Sequence, residues 1–390
     1  MVQDRVPSSR SLCLFAFPFR VFFLSAALAG AILVPVWLLL FHQGGGDTLA
    51  MPAWFWHQHE MTVGFLNAAI AGFLLTAVCN WTGTPPVAGP ALAGLWLLWL
   101  AGRLALAFGA AWPLLAAAVD LAFLPVVALI VAQRVWRARQ PRQAPLVGVL
   151  LLIAGMDLLF HLQHDPRFTR ALVLLAATLI LVIGGRITPA FTANWLRQHG
   201  VNPARVRQRP RLDKLGLIAA LLVVVLELGA WRGAGAAVVG LLAATLTAIR
   251  LWGWAGWLAR REPLLWILHL GHLWVVLGYL LWALAAIDWV APTAWLHALG
   301  AGAIGTMILG VMTRVAMGHT GRPLRLLPGM GWGYGAMLAA GAVRVTVALG
   351  GLPPRAGLWL AAVLWTLALG LFVVRYGPLL ASPRADGRPG

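Results

Sequence analysis

Charge is what this sequence has least of. Only 10% of its 390 residues are charged, 11 of them acidic, and lysine is confined to Lys214. A soluble chain of this length needs far more charge to coat its surface. Cysteine is almost as scarce. Cys13 lies ahead of the first apolar run and Cys79 at the inner end of the second, so neither a disulfide framework nor a thiolate metal site is expected. No nucleotide-binding signature, serine nucleophile elbow or Cys-x-x-Cys-His sequence is present, which argues against an ATP-driven pump.

What fills the chain is hydrocarbon: 61% of residues are hydrophobic and the mean hydropathy is +0.85. A membrane span takes about 20 apolar residues, so the length accommodates about twelve. Apolar runs fall at roughly 21–41, 59–79, 90–109, 113–134, 145–163, 168–186, 214–231, 234–254, 264–287, 293–317, 328–349 and 356–377. The expected fold is an all-α polytopic membrane protein, with the first run kept as a span rather than removed as a signal peptide.

The net charge of +18 could suggest nucleic acid. The arginines, however, sit in short blocks between apolar runs, not along one amphipathic face. They instead report topology. Arg134 to Arg142, Arg197 to Arg211, Arg250 to Arg261 and Arg322 with Arg325 occupy alternate connections, whereas the intervening loops hold little beyond Arg167, Arg170, Arg232 and Arg355. The positive-inside rule then predicts a basic cytoplasmic N-terminus over 1–20, a membrane domain over 21–377 with a cytoplasmic linker at 187–213, and a cytoplasmic tail over 378–390. The lipid bilayer is the expected partner, and nucleic acid is not one.

An internal echo adds to this. Aligning His59 with His297 brings Gly64 onto Gly302, Gly72 onto Gly310, Thr82-Gly83 onto Thr320-Gly321 and Pro85 onto Pro323. Spans two and ten would then be equivalent, with span six, ending in Arg186, as a weaker third copy. Three four-helix units around a pseudo-threefold axis would follow.

Ionisable groups inside a bilayer are costly and usually face the bundle interior. Arg103 and Asp120 fall at one level, roughly 10 Å from the outer face, as a structural polar pair would. Asp157 and Glu227 also lie in the outer half, and Glu60 follows His59. His57, His59 and His297 share the outer level, and imidazoles suit copper, iron and zinc. A spacing of two puts His57 and His59 on opposite sides of a helix, so joint ligation would need a non-helical segment there. His161 and His164 end on the same side and read as interfacial polar groups. Towards the inner face, His269 and His272 share one side of span nine, and His319 caps span ten near Arg314. A haem there would have Arg186 and Arg314 available to its propionates. Interhelical hydrogen bonds are the alternative reading of these rings.

At this point the residues resemble a known family. The blocks Phe19-Arg20-Val21-Phe22-Phe23, Trp56-His57-Gln58-His59-Glu60-Met61, Gly184-Gly185-Arg186-Ile187-Thr188-Pro189 and Leu268-His269-Leu270-Gly271 are similar to those of the NnrS family. So are His297-Ala298-Leu299, Met312-Thr313-Arg314-Val315 and Gly318-His319-Thr320-Gly321-Arg322-Pro323. The resemblance implies a twelve-span inner-membrane protein that binds haem, of b type, and copper, and serves in the response to nitric oxide. Carried onto this chain, the metal candidates are His57, His59, His269, His297 and His319, with Arg186 and Arg314 as polar partners. His272 stands where the family is expected to have an aromatic residue, and Cys79 where a proline is more usual.

Two other functions fit the same composition. A secondary transporter of a metal, haem or small solute would use twelve spans and a polar interior, although no Gly/Pro-broken pair of spans is evident at mid-membrane. A divergent relative of the haem–copper oxidases and nitric oxide reductases would share a threefold arrangement, but this chain lacks an adjacent His-His pair.

Overall fold

Proline opens most of the helices of this chain. Its missing N–H is no loss in a first turn and its fixed φ is already helical, so Pro marks where a span can begin. In the computed structural model, which describes residues 13–388, twelve long helices are present among the described residues. They are α1 (Pro18–Gln43), α2 (Ala53–Thr82), α3 (Gly89–Phe108), α4 (Pro113–Arg137), α5 (Pro141–Gln163) and α6 (Pro166–Gln198). The remainder are α7 (Pro210–Leu228), α8 (Ala234–Gly253), α9 (Pro263–Ala286), α10 (Pro292–His319), α11 (Met330–Ala348) and α12 (Pro354–Leu380). No strand occurs among the described residues. The basic residues before Cys13 and the last two of the chain lie outside them.

Ten of the twelve helices are long and apolar enough to cross a membrane. Their outward faces fit that reading: Leu114, Trp136 and Trp252 are each more than 70% exposed. Side chains this large and apolar are stable there only against lipid. The fold is therefore an all-α polytopic membrane protein.

Two helices run well past the lengths expected from hydropathy. Helix α2 begins at Ala53, ahead of the expected 59, and α6 continues from the apolar stretch to Gln198 with Pro189 in its interior. No glycine breaks it before Gly200, so the part of the basic connection nearest the membrane is helical.

Three helices contain a π-helical segment: Glu60–Phe65 in α2, Ile180–Gly184 in α6 and Ala298–Ile304 in α10. These are the three spans that the sequence echo relates, and the segments in α2 and α10 begin directly after His59 and His297. A π turn adds a residue, loosens one hydrogen bond and re-aims the side chains beside it.

By contacts the chain forms two units. One is built from the chain up to Thr169, with Met312–Arg325 and the chain from Leu369 onward; the other comprises Arg170–Val311 and Leu326–Ala368. In the first unit, α1 and α2 pack closely because Gly72 lets Phe22 and Phe23 lie against the helix backbone, where an added Cβ would come within 2.8–3.1 Å of them. Arg20 reaches the end of α12 and donates from Nη1 to the carbonyls of Leu380 at 2.6 Å and Ser382 at 2.7 Å. A buried guanidinium there satisfies carbonyls that the helix end leaves open. In the second unit, Gly240 makes room for Trp282 and Ala283 between α8 and α9.

Candidate metal centre

The first unit gathers four metal-type donors from three helices. His59 comes from α2, Asp120 from α4, and Asp157 and His161 from α5. Each offers one ligand atom, and these four atoms lie within 4.8 Å of one another. His59 Nε2 is 3.0 Å from Asp120 Oδ2 and 3.1 Å from Asp157 Oδ1, and His161 Nε2 is 3.3 Å and 3.8 Å from the same two oxygens. Neither histidine side chain is more than 6% exposed.

A neutral imidazole has one N–H, so one Nε2 cannot donate well to both carboxylates that face it. Two Nε2 atoms and two carboxylate oxygens pointing at one spot form an electron-rich focus, which a cation would satisfy.

A second layer holds this focus in place. Arg103 of α3 donates from Nη1 to both Glu60 oxygens at 3.1 Å and pairs through Nη2 with Asp120. Glu60 in turn lies 3.5 Å from His59 Nδ1. Gly64, inside the π segment, leaves the space in which Glu60 and Arg103 meet. Trp99 Nε1 donates to the Gly64 carbonyl at 3.0 Å, and a Cβ on Gly64 would collide with Glu60 Oε2 and Arg103 Nη1. Gly102 plays the matching part on α3, where a Cβ would stand 3.0 Å from Asp120 Oδ1.

One side of the centre is closed by hydrocarbon. Phe160 stacks on the His59 ring at 5.9 Å and belongs to a cluster with Leu49, Met51, Trp56, Leu106 and Ala116. Such a cover keeps water from the charged groups and strengthens every electrostatic contact beneath it.

The other candidate residues are distributed as follows. The chain is helical from Ala53 through His59, so the His57 and His59 rings diverge, and His57 stacks on Trp37 at 4.0 Å. His297 lies in the second unit, with Nδ1 2.8 Å from the Thr293 carbonyl of its own helix. His269, also in the second unit, has Nε2 3.0 Å from Thr192 Oγ1, and Gly256 packs against its ring. His272 points Nδ1 at the Leu268 carbonyl at 2.9 Å. Arg186 is exposed on α6. Arg314 is half-buried on α10 within the first unit.

His319, likewise in the first unit, lies 5.4 Å from the Phe19 ring, and its carbonyl accepts from Arg384 Nη1 at 3.0 Å. Arg384 also grips Asp386, holding that tail carboxyl well below the usual carboxylate range. Glu227 is a fully satisfied buried acid in the second unit: Arg232 donates to both its oxygens at 3.1 and 3.2 Å and Trp282 Nε1 donates at 2.9 Å.

Sequence reasoning paired Asp120 with Arg103 and read His161 as interfacial, so it did not bring Asp120, Asp157 and His161 together with His59; the structure buries all three beside it. Asp157 and His161 share α5. Their spacing of four places them on one helical face, and that signal was present in the sequence.

Fold and site together define a polytopic membrane protein with a buried histidine–carboxylate centre. The family model described as NnrS protein matches residues 13–384, nearly the whole chain. This chain belongs to the NnrS family. A search of curated proteins finds no match to it.

Proposed function

We propose that this chain is a multi-pass protein of the bacterial inner membrane that holds a transition-metal ion, copper foremost, at His59, His161, Asp120 and Asp157, and serves in the response to nitric oxide. One observation carries the reading: four buried donor atoms of metal-ligand type within 4.8 Å of one another. Family membership adds the nitric oxide context.

The residues fit a metal by their chemistry. Two imidazole nitrogens and two carboxylate oxygens suit copper, iron or zinc better than an alkaline-earth ion. Copper bound there would supply a centre able to coordinate nitric oxide. Nitric oxide is small and nearly apolar, so it reaches a centre buried among lipid-facing helices without a polar channel. His59 and His161 contribute the neutral donors, Asp120 and Asp157 the charge, and the Phe160 cluster excludes water.

Haem is the second cofactor of this reading, with His269 as ligand and Arg186 as propionate partner in the second unit, or His319 and Arg314 in those roles in the first. The fit is poorer: an iron at His269 would have to displace Thr192 from Nε2. Basic even-numbered connections support cytoplasmic termini.

Metal and optical analysis of the purified protein tests the proposal. Copper bound by the wild type should fall at least tenfold in His59→Ala, His161→Ala and Asp157→Asn, because each removes a direct ligand. Full copper occupancy in both histidine variants would sink the assignment. A Soret band lost only in His269→Ala or His319→Ala would locate the haem, and a preparation lacking any such band would remove haem from the reading.

A further inference from the structure

The candidate centre carries a charge imbalance that can define the class of ion it takes. Glu60, Asp120 and Asp157 bring three carboxyl groups, and their side chains are no more than 3% exposed. Arg103 brings the single guanidinium and is committed to Glu60 and Asp120. With the acids ionised and both histidines neutral, three negative charges against one positive leave two negative charges. Arg167, just past the end of α5, does not supply the missing charge, since it pairs with Asp165 at 2.6 Å and is 43% exposed. Such a deficit under an apolar cover is strongly unfavourable unless a cation balances it.

We propose that the centre selects a divalent over a monovalent ion, and that Glu60 sets this preference from outside the ligand shell. The inference rests on the metal reading above and deepens it. Glu60 acts in two ways. Its charge raises the deficit from one to two once Arg103 is counted. Its Oε1 also faces His59 Nδ1, which favours the tautomer with hydrogen on Nδ1 and leaves the Nε2 lone pair directed at Asp120 and Asp157. Glu60 is therefore a positioning and specificity-determining residue, not a ligand.

The test uses the full-length purified protein with Zn²⁺ and Ag⁺, two redox-silent ions that bind imidazole. Cys13 and Cys79 offer thiols to silver, so only the binding lost in His59→Ala is counted. Glu60→Gln keeps an oxygen acceptor beside His59 but removes the charge. Zn²⁺ affinity should fall about ten- to a hundredfold, the usual cost of losing an outer-shell partner, while Ag⁺ affinity stays level or rises. The double variant Glu60→Gln/Arg103→Gln restores the count of two, and the Zn²⁺ preference should return.

An unchanged Zn²⁺/Ag⁺ ratio in Glu60→Gln, or a double variant that behaves as the single one, overturns the selectivity while leaving the metal centre standing. Wild-type protein gives an independent reading if the single variant does not fold. Zn²⁺ should raise its melting temperature more than Ag⁺ does at equal concentration, and an equal or larger shift with Ag⁺ overturns the inference. A wild type that binds neither ion overturns the metal reading itself, and this inference with it.

Discussion

Gly64 carries no chemistry of its own, yet the centre depends on it. Any side chain there would occupy the space in which Glu60 and Arg103 meet. Both groups are buried and charged, so neither can swing into water to make room. Gly64→Ala should therefore lower stability by about 1–3 kcal/mol, the usual cost of overpacking, and weaken Zn²⁺ binding about tenfold through the displaced second layer. Thermal melting with and without zinc reads both effects, and an alanine variant matching the wild type in each would show that the contact yields easily. Much of this neighbourhood was legible from single residues. Arg103, Asp120 and His59 attract notice because charge and imidazole are expensive in a bilayer. The sequence alone does not show that α5 turns Asp157 and His161 toward His59, since helix-to-helix proximity is not written in hydropathy. It also does not reveal that His57 turns away to stack on Trp37.

Apart from the start of α2 and the end of α6, helix positions were readable to within a few residues, because a run of apolar residues bounded by arginine, glycine and proline has few other solutions in lipid. The expected run at 264–287, for example, corresponds to Pro263–Ala286. The π segments were not readable, since no residue pattern marks an extra residue within a turn. They matter most in α2, where Glu60–Phe65 separates the His59 turn from the remainder of the span. Deleting Val63 should convert this segment to ordinary α-helix. Each helical residue turns the chain by about 100°, so His59 and Glu60 would rotate by about that angle against Leu66–Thr82. The deletion variant should insert normally and retain its far-UV circular dichroism while losing zinc at least tenfold. Zinc bound at wild-type affinity would mean that the π turn does not aim the ligands. The same segment type in α6 and α10 gives the sequence echo a structural counterpart: two glycine-rich stretches align, and each has a π turn directly after its histidine.

Across the whole molecule, orientation decides which side of the membrane the centre serves. On the topology proposed from the arginine blocks, the α6–α7 connection would face the cytoplasm and the α1–α2 loop the opposite side. His59, Asp120 and Asp157 then lie near the outer face, beneath the cluster that includes Leu49 and Met51 of that first loop. An ion arriving from outside would have only this apolar cover to pass, whereas one from the cytoplasm would have to cross most of the bilayer. Single cysteines in a background without Cys13 and Cys79 test the orientation directly. Asp47 and Ala204 are both exposed, so Asp47→Cys and Ala204→Cys should accept label without disturbing the helices. A membrane-impermeant maleimide applied to spheroplasts should label position 47 and spare position 204 until the membrane is opened. The reverse pattern would place the centre near the cytoplasmic face, and metal delivery would then have to come from the cell interior.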